Sequence, residues 1–220
     1  MYYFKSLVAR MIKIGLLNRI LDYKLLFVIP ILMLECGCAI HSSNRITQQR
    51  LIEKGPVGAY RWVVESPSGV HFQFVQRIPD QTRAFYMARE FSTAAANKYA
   101  TACIFQAILN NNSKNLVIKT DLSSWRVIQN GKKSPLPLER DWQKIWKKMN
   151  ISNSGRIAFR WSQFPTIQID KPGDWFQGMT AANLPPGSKF DLYLKWYEND
   201  KPREAVIHKL QCADDRRLVK

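Results

Sequence analysis

From residue 60 onward the chain moves between two hydrophobic rhythms. Val70, Phe72 and Phe74 fall at every second position, the spacing of a strand with one buried face. Before them, Tyr60–Glu65 places Trp62 and Val64 on one side, and Ser66-Pro67-Ser68-Gly69 between the two runs is a turn, so residues 60–76 are predicted as a hairpin. Residues 80–102 are predicted helical, as two short helices or one bent one. Asp80 is the candidate first cap, and Ser92 a second cap before the alanine-rich Thr93–Ala102. The apolar run Cys103–Leu109 is predicted as a buried strand, and Asn110-Asn111-Asn112-Ser113 as a loop. Leu116–Thr120 and Trp125–Gln129 follow as strands, the second closed by Asn130-Gly131, a tight-turn dipeptide.

Trp142, Ile145, Trp146 and Met149 recur at i, i+3, i+4 and i+7, which predicts a helix over 139–149 with Lys144, Lys147 and Lys148 off its apolar stripe. Arg156–Trp161 returns to alternation and is predicted as a strand with Ile157, Phe159 and Trp161 inward, continued by Ile167 and Ile169. Phe190, Leu192, Leu194 and Trp196 alternate against Asp191, Tyr193, Lys195 and Tyr197; Asn199–Pro202 is a turn, Ala205–Cys212 the last strand, and 214–220 a charged tail. The predicted fold is a single β-rich domain over 59–213, an antiparallel β-sandwich with inserted helices. The alternative is an α+β sheet with helices on one face.

The first 38 residues follow a different rule. Lys5, Arg10, Lys13, Arg19 and Lys24 precede an uncharged run, Leu25–Leu34, and Glu35-Cys36-Gly37-Cys38 follows. A basic region, a short apolar core and small residues form an export signal; the apolar run is short for a stop-transfer helix, and an uncleaved anchor or a signal cut elsewhere is the alternative. Gly37-Cys38 resembles the end of a bacterial lipoprotein leader. It departs from that class in having Glu35 where Leu is preferred and a second thiol at Cys36. The resemblance implies cleavage before Cys38, lipidation of Cys38, and a place in the cell envelope facing the periplasm. Ala39-Ile40 lacks the acidic residue associated with inner-membrane retention, which favours the outer membrane. Residues 1–37 are then leader, with Met11 an alternative start, and 38–58 a tether.

The chain has 220 residues, with 33 basic against 17 acidic, for a formal net charge of +16. Such charge attracts nucleic acid, anionic lipid or acidic glycan. The export signal and the absence of a nucleic-acid motif argue against the first. Cys103 and Cys212 lie 109 positions apart with no C-x-x-C spacing. In an oxidising compartment they are predicted to pair, and a loop that long is worth roughly 4–5 kcal/mol in the chain-entropy model. Two separate buried thiols are the alternative.

Chemistry is sparse. There is no G-x-S-x-G elbow, S-x-x-K pair, phosphate loop or dinucleotide fingerprint. Cys103 has apolar flanks unsuited to a nucleophile. Asp170 and Asp174 bracket Pro172-Gly173, the setting of turn acids rather than of a glycosidase pair. No cofactor and no metal are predicted. The candidate contact residues are Trp175 and Phe176, in a segment rich in aromatic residues, Gly and Pro that is predicted as a loop, and Arg77 and Arg83, which together form a forked donor pair for an anion. The expected protein is a lipid-anchored, non-enzymatic binding or assembly module for another envelope protein or an anionic surface. The alternative is a periplasmic enzyme or metal-handling accessory that joins His71 and His208.

Overall fold

A computed structural model describes the backbone of residues 48–52 and the full structure of residues 59–215; Cys38 and the leader lie outside the described residues. The elements in order are β1 (Gln48–Ile52), β2 (Arg61–Glu65), β3 (Val70–Gln76), α1 (Pro79–Met87), α2 (Thr93–Ala100), β4 (Ile104–Asn111), β5 (Ile118–Asp121), a 3-10 turn (Leu122–Ser124), β6 (Arg126–Gln129), β7 (Lys132–Pro135), α3 (Glu139–Lys148), α4 (Asn153–Ser162), β8 (Ile167–Asp170), β9 (Trp175–Ala181), β10 (Lys189–Glu198) and β11 (Lys201–Gln211).

Two antiparallel sheets form the sandwich that the alternation predicts. The first has the order β1-β2-β3-β4-β9. The second is built on the long hairpin β10–β11, whose Asn199 and Asp200 both take positive φ, as a tight primed turn requires. The other edge of β10 pairs with β6 through Tyr193–Arg126 and with β5 through Trp196–Thr120. Thus β5 and β6 serve as two halves of one strand broken by the 3-10 turn, with β8 beyond one half and β7 beyond the other. Between the sheets Phe72 meets Trp196 at 5.3 Å and Trp125 at 5.9 Å, and Phe105 meets Phe190 at 5.8 Å between ring centroids. Tilted and edge-on contacts of this kind suit buried aromatics.

The helices make a second interior. Tyr86, Tyr99, Trp142, Trp146 and Phe159 are buried together with Ile104 of β4 and Met179 and Ala181 of β9. They therefore cover the outer face of the first sheet where β4 and β9 lie side by side. Ser92 accepts the Ala95 amide at 3.3 Å, as its predicted cap role requires. At α1 the cap position is Ile78 with no side-chain hydrogen bond, and Asp80 sits instead in the first turn. No helix among the described residues is long and apolar enough to cross a membrane.

Four expectations are corrected. Arg156–Trp161 is helical: Ser152 accepts the Gly155 amide at 3.0 Å and caps α4, and of the three predicted inward residues only Phe159 is buried. Alternation over six residues does not separate a strand from a helix with one anchor. Residues 175–181, predicted as loop, form a strand paired with β4 throughout. Its alternation is masked because Gly178, Met179, Thr180 and Ala181 are all buried, one face under the helices and the other in the sandwich. Within the predicted tether, residues 48–52 form β1, paired with β2. The tail also begins later than expected, since Asp215 is only 3% exposed.

Cys103 and Cys212 are bonded, with their α-carbons 5.0 Å apart. The bond ties the residue just before β4 in one sheet to the residue just after β11 in the other. Nearby, Gln76 Nε2 donates to the Gln211 carbonyl at 2.7 Å, a second link between the same two regions.

Beyond α4 the chain returns to the second sheet by crossing β9. Phe164 N donates to Met179 O at 2.9 Å. A Cβ on Gly178 would lie 2.2 Å from Phe164 N, so the crossing depends on glycine. Gly178→Ala is expected to lower the free energy of unfolding by about 1–3 kcal/mol, measured by urea denaturation; an unchanged midpoint would show that the crossing tolerates the methyl group.

Candidate functional site

Helices α3 and α4 meet the helical interior through Trp142, Trp146 and Phe159. That leaves their remaining faces to solvent, and those faces are basic. Along α3, Arg140, Lys144, Lys147 and Lys148 stand against Glu139 and Asp141; along α4, Arg156 and Arg160 stand against no acid. Gln143 Nε2 donates to the Arg156 carbonyl at 2.9 Å and holds the two helices together. Between them runs a groove of about 450 Å³ with Arg140, Lys144, Lys147, Arg156 and Arg160 on its walls and Glu139 at its end. Lys144 pairs with Asp141 at 3.6 Å; among the described residues the other cations of this face make no ion pair. The Nε of Arg156 is buried and has no hydrogen-bond partner.

The groove continues into a cleft of about 360 Å³ that shares Glu139 and Arg160 and is walled by Trp161, Phe164, Pro165 and Phe176. Phe164 and Phe176 meet edge to face at 5.7 Å and form its apolar floor. Trp161, one helical turn after Ile157, is 78% exposed, and Ile157 is 38% exposed. Residues four apart share a helix face, so α4 presents Ile157 and Trp161 as one stripe and Arg156 and Arg160 as the next. The arrangement has no nucleophile and base in contact. It offers cations beside an aromatic edge.

Only one predicted contact residue reaches this site. Phe176 lines the cleft, but Trp175 points the other way, because successive residues of a strand face opposite sides. Trp175 is 60% exposed while Phe176 packs on the sandwich core, so the two form no common platform. Arg83 is 2% exposed and works as an internal clasp. Its guanidinium donates to Asn97 at 2.9 Å, to Asp80 at 2.8 Å and through two nitrogens to Asp215. Arg77 is half-buried where β3 leads into α1, with its amide donating to the Ile104 carbonyl at 2.9 Å. Neither arginine lines the groove or the cleft.

His71 and His208 lie on different sheets, each beside its own acid. His71 alternates with the buried Val70 and Phe72 on β3, and its ring stands 3.9 Å from Glu65. His208 on β11 meets Asp191 at 2.8 Å, and the same carboxylate accepts the Lys209 amide at 2.9 Å. This contact stitches a bulge in which Lys209 takes positive φ. Burial pushes the Asp191 carboxyl up, but the Lys209 amide and His208 more than offset it and hold it below the usual range. Among the described residues no three His, Cys, Asp or Glu side chains are grouped to hold a metal ion.

Alternation over Arg156–Trp161 turns Trp161 inward and so conceals the α3–α4 face. The sequence does contain a signal for it: Ser152 as cap, and Arg156/Arg160 and Ile157/Trp161 as paired i, i+4 positions. No family model, curated protein or solved structure matches this chain.

A buried acid, Glu198, closes β10 in the second sheet. Ser68 Oγ donates to it at 2.7 Å, Arg203 Nε at 2.9 Å and Trp196 Nε1 at 3.1 Å. Burial raises its proton affinity, but the bonds from Ser68, Arg203 and Trp196 prevail and hold it below the ordinary carboxylate value. A depressed carboxyl stabilises the fold above its unfolded value and loses that contribution as pH falls through its folded one. Glu198→Gln is expected to cost about 1–2 kcal/mol at neutral pH. The deficit relative to wild type should narrow as the pH is lowered below 4.5. Urea melts across that range check this; a deficit independent of pH would remove the charge from the explanation.

Proposed function

We propose that this chain is a non-enzymatic binding module of the bacterial cell envelope, held at a membrane by lipid on Cys38 and docking through its α3–α4 face onto an anionic surface. The single observation behind the proposal is that face: six cations on two adjacent helices, Arg140, Lys144, Lys147, Lys148, Arg156 and Arg160, against Glu139 and Asp141. Helix α3 is anchored by stacked, buried Trp142 and Trp146, 5.3 Å apart, and α4 by buried Phe159. The cations are therefore held in a fixed pattern, not on a tail. Gly37-Cys38 supports the anchor and the periplasmic side, and the formal charge of +16 agrees in sign with an anionic partner.

Overall charge alone would make any part of this protein adhere to polyanions, so the test is positional. Near an anionic surface each Lys or Arg contributes about 1 kcal/mol. Reversing Lys144, Lys147, Arg156 and Arg160 to Glu is expected to weaken binding to heparin, a soluble polyanion probe, on the order of 100-fold or more. Reversing Lys119, Lys132, Lys133 and Lys195, on the second sheet, changes formal charge equally and is expected to weaken it by less than about tenfold. Titration calorimetry at fixed salt reads both. Equal losses from the two sets would refute a localised docking face.

A further inference from the structure

The exposed apolar stripe beside the arginines says which anionic surface fits. We propose that the α3–α4 face lies on a bilayer of anionic phospholipids, with Trp161 and Ile157 entering the headgroup boundary and Arg156, Arg160 and the α3 lysines on the phosphates. This rests on the proposed anionic-surface function and names its partner.

A soluble polyanion needs only cations. It offers nothing to a tryptophan that stands 78% in water next to Ile157. At a membrane interface the same indole is well placed, because its ring is apolar and its N–H stays within reach of water and headgroups. The order of residues on α4 fits that geometry. Arg156 precedes Ile157, and Arg160 precedes Trp161, so each cation is offset by one residue from an apolar neighbour. The helix has ten residues, about 15 Å in length at 1.5 Å per residue. Laid in the interface plane it sets both stripes at one depth. Arginine serves here because its flat fork matches phosphate oxygens and its stem tolerates the apolar boundary. Across the groove, Lys144 and Lys147 widen the cationic footprint, while Glu139 at the end and Asp141 beside Lys144 subtract from it without facing an acid on α4. An interfacial helix of this kind binds through apolar area plus attraction to anionic lipid.

The tryptophans themselves supply a local readout. The chain has seven. Trp62, Trp125, Trp142, Trp146 and Trp196 are buried, leaving Trp161 and Trp175, which is 60% exposed, within reach of an external quencher. The experiment mixes the full chain with vesicles of phosphatidylglycerol and phosphatidylcholine carrying brominated acyl chains, and with brominated phosphatidylcholine alone. Tryptophan quenching is expected with the anionic vesicles. It should be lost in Trp161→Phe, retained in Trp175→Phe, and lost when Lys144, Lys147, Arg156 and Arg160 are changed to Glu. Both Phe variants keep an aromatic ring at an exposed position, so folding is not at stake, and circular dichroism confirms it.

Four results would overturn the proposal. Quenching that follows Trp175 would put a different face on the membrane. Equal, charge-independent quenching with neutral vesicles would remove anionic lipid from the recognition. Absent quenching, with heparin binding still sensitive to the four reversals, would leave the anionic-surface function standing and exclude a bilayer as its partner. Loss of sensitivity in both assays would refute the function itself.

Discussion

Strand β4 faces two apolar interiors, and the rest of the structure is arranged around that fact. Phe105, Ala107 and Leu109 enter the core between the sheets, while Ile104 enters the core beneath the helices. Its neighbour β9 does the same: Met179 and Ala181 join the helical side, and Gly178 stays bare so that the chain leaving α4 can cross it. A wall shared by two cores transmits packing from one to the other, because close-packed interiors do not deform freely. Cys103, just before β4, is bonded to Cys212 beyond β11, so the wall is also tied to the far sheet. Arg83 on α1 then grips Asp215, three residues past the disulfide, and closes the helical layer onto the same chain end.

This layering positions the candidate site. The basic groove belongs to helices with little contact to water on their inner sides, and the aromatic cleft is floored by Phe164 from the crossing segment and Phe176 from β9. Cations on such a frame keep their spacing when a partner arrives, so less side-chain and backbone freedom is lost on binding than from a flexible basic tail. The second sheet has two charged pairs of its own, Asp191 with His208 and Glu198 with Arg203. Those pairs serve the fold, and the buried Arg83 clasp does likewise.

Much of the sandwich was legible in the chain because its inner residues have one wet face opposite them. Phe72 and Phe74 on β3, and Phe190, Leu192, Leu194 and Trp196 on β10, alternate cleanly for that reason. The helix bearing Trp142 and Trp146 is equally plain, and the bond between Cys103 and Cys212 matches one of the two readings that their strand-like flanks allow. Legibility failed where both sides are covered or neither period is complete. Trp175–Ala181 looked irregular because a second core hides its alternation. Arg156–Trp161 mimicked a strand because Phe159 is its lone buried anchor. The site fell in that second gap. Phe176 stands out in the sequence as an aromatic and lines the cleft, whereas Trp161, two elements earlier in the chain, falls on the inward side of the apparent alternation. Arg83 stands out in the sequence by its charge alone, and its partner Asp215 lies 132 positions away, a contact that no local pattern encodes.

Hydrogen–deuterium exchange of the full chain, with and without anionic vesicles, tests the central claim most directly. Slowed exchange is predicted at amides of residues 139–162, where α3 and α4 lie, with residues 118–135 and 189–211 of the second sheet unchanged. Protection confined to the second sheet, or none in α3 and α4 under conditions where the protein sediments with the vesicles, would contradict a docking face built from these two helices.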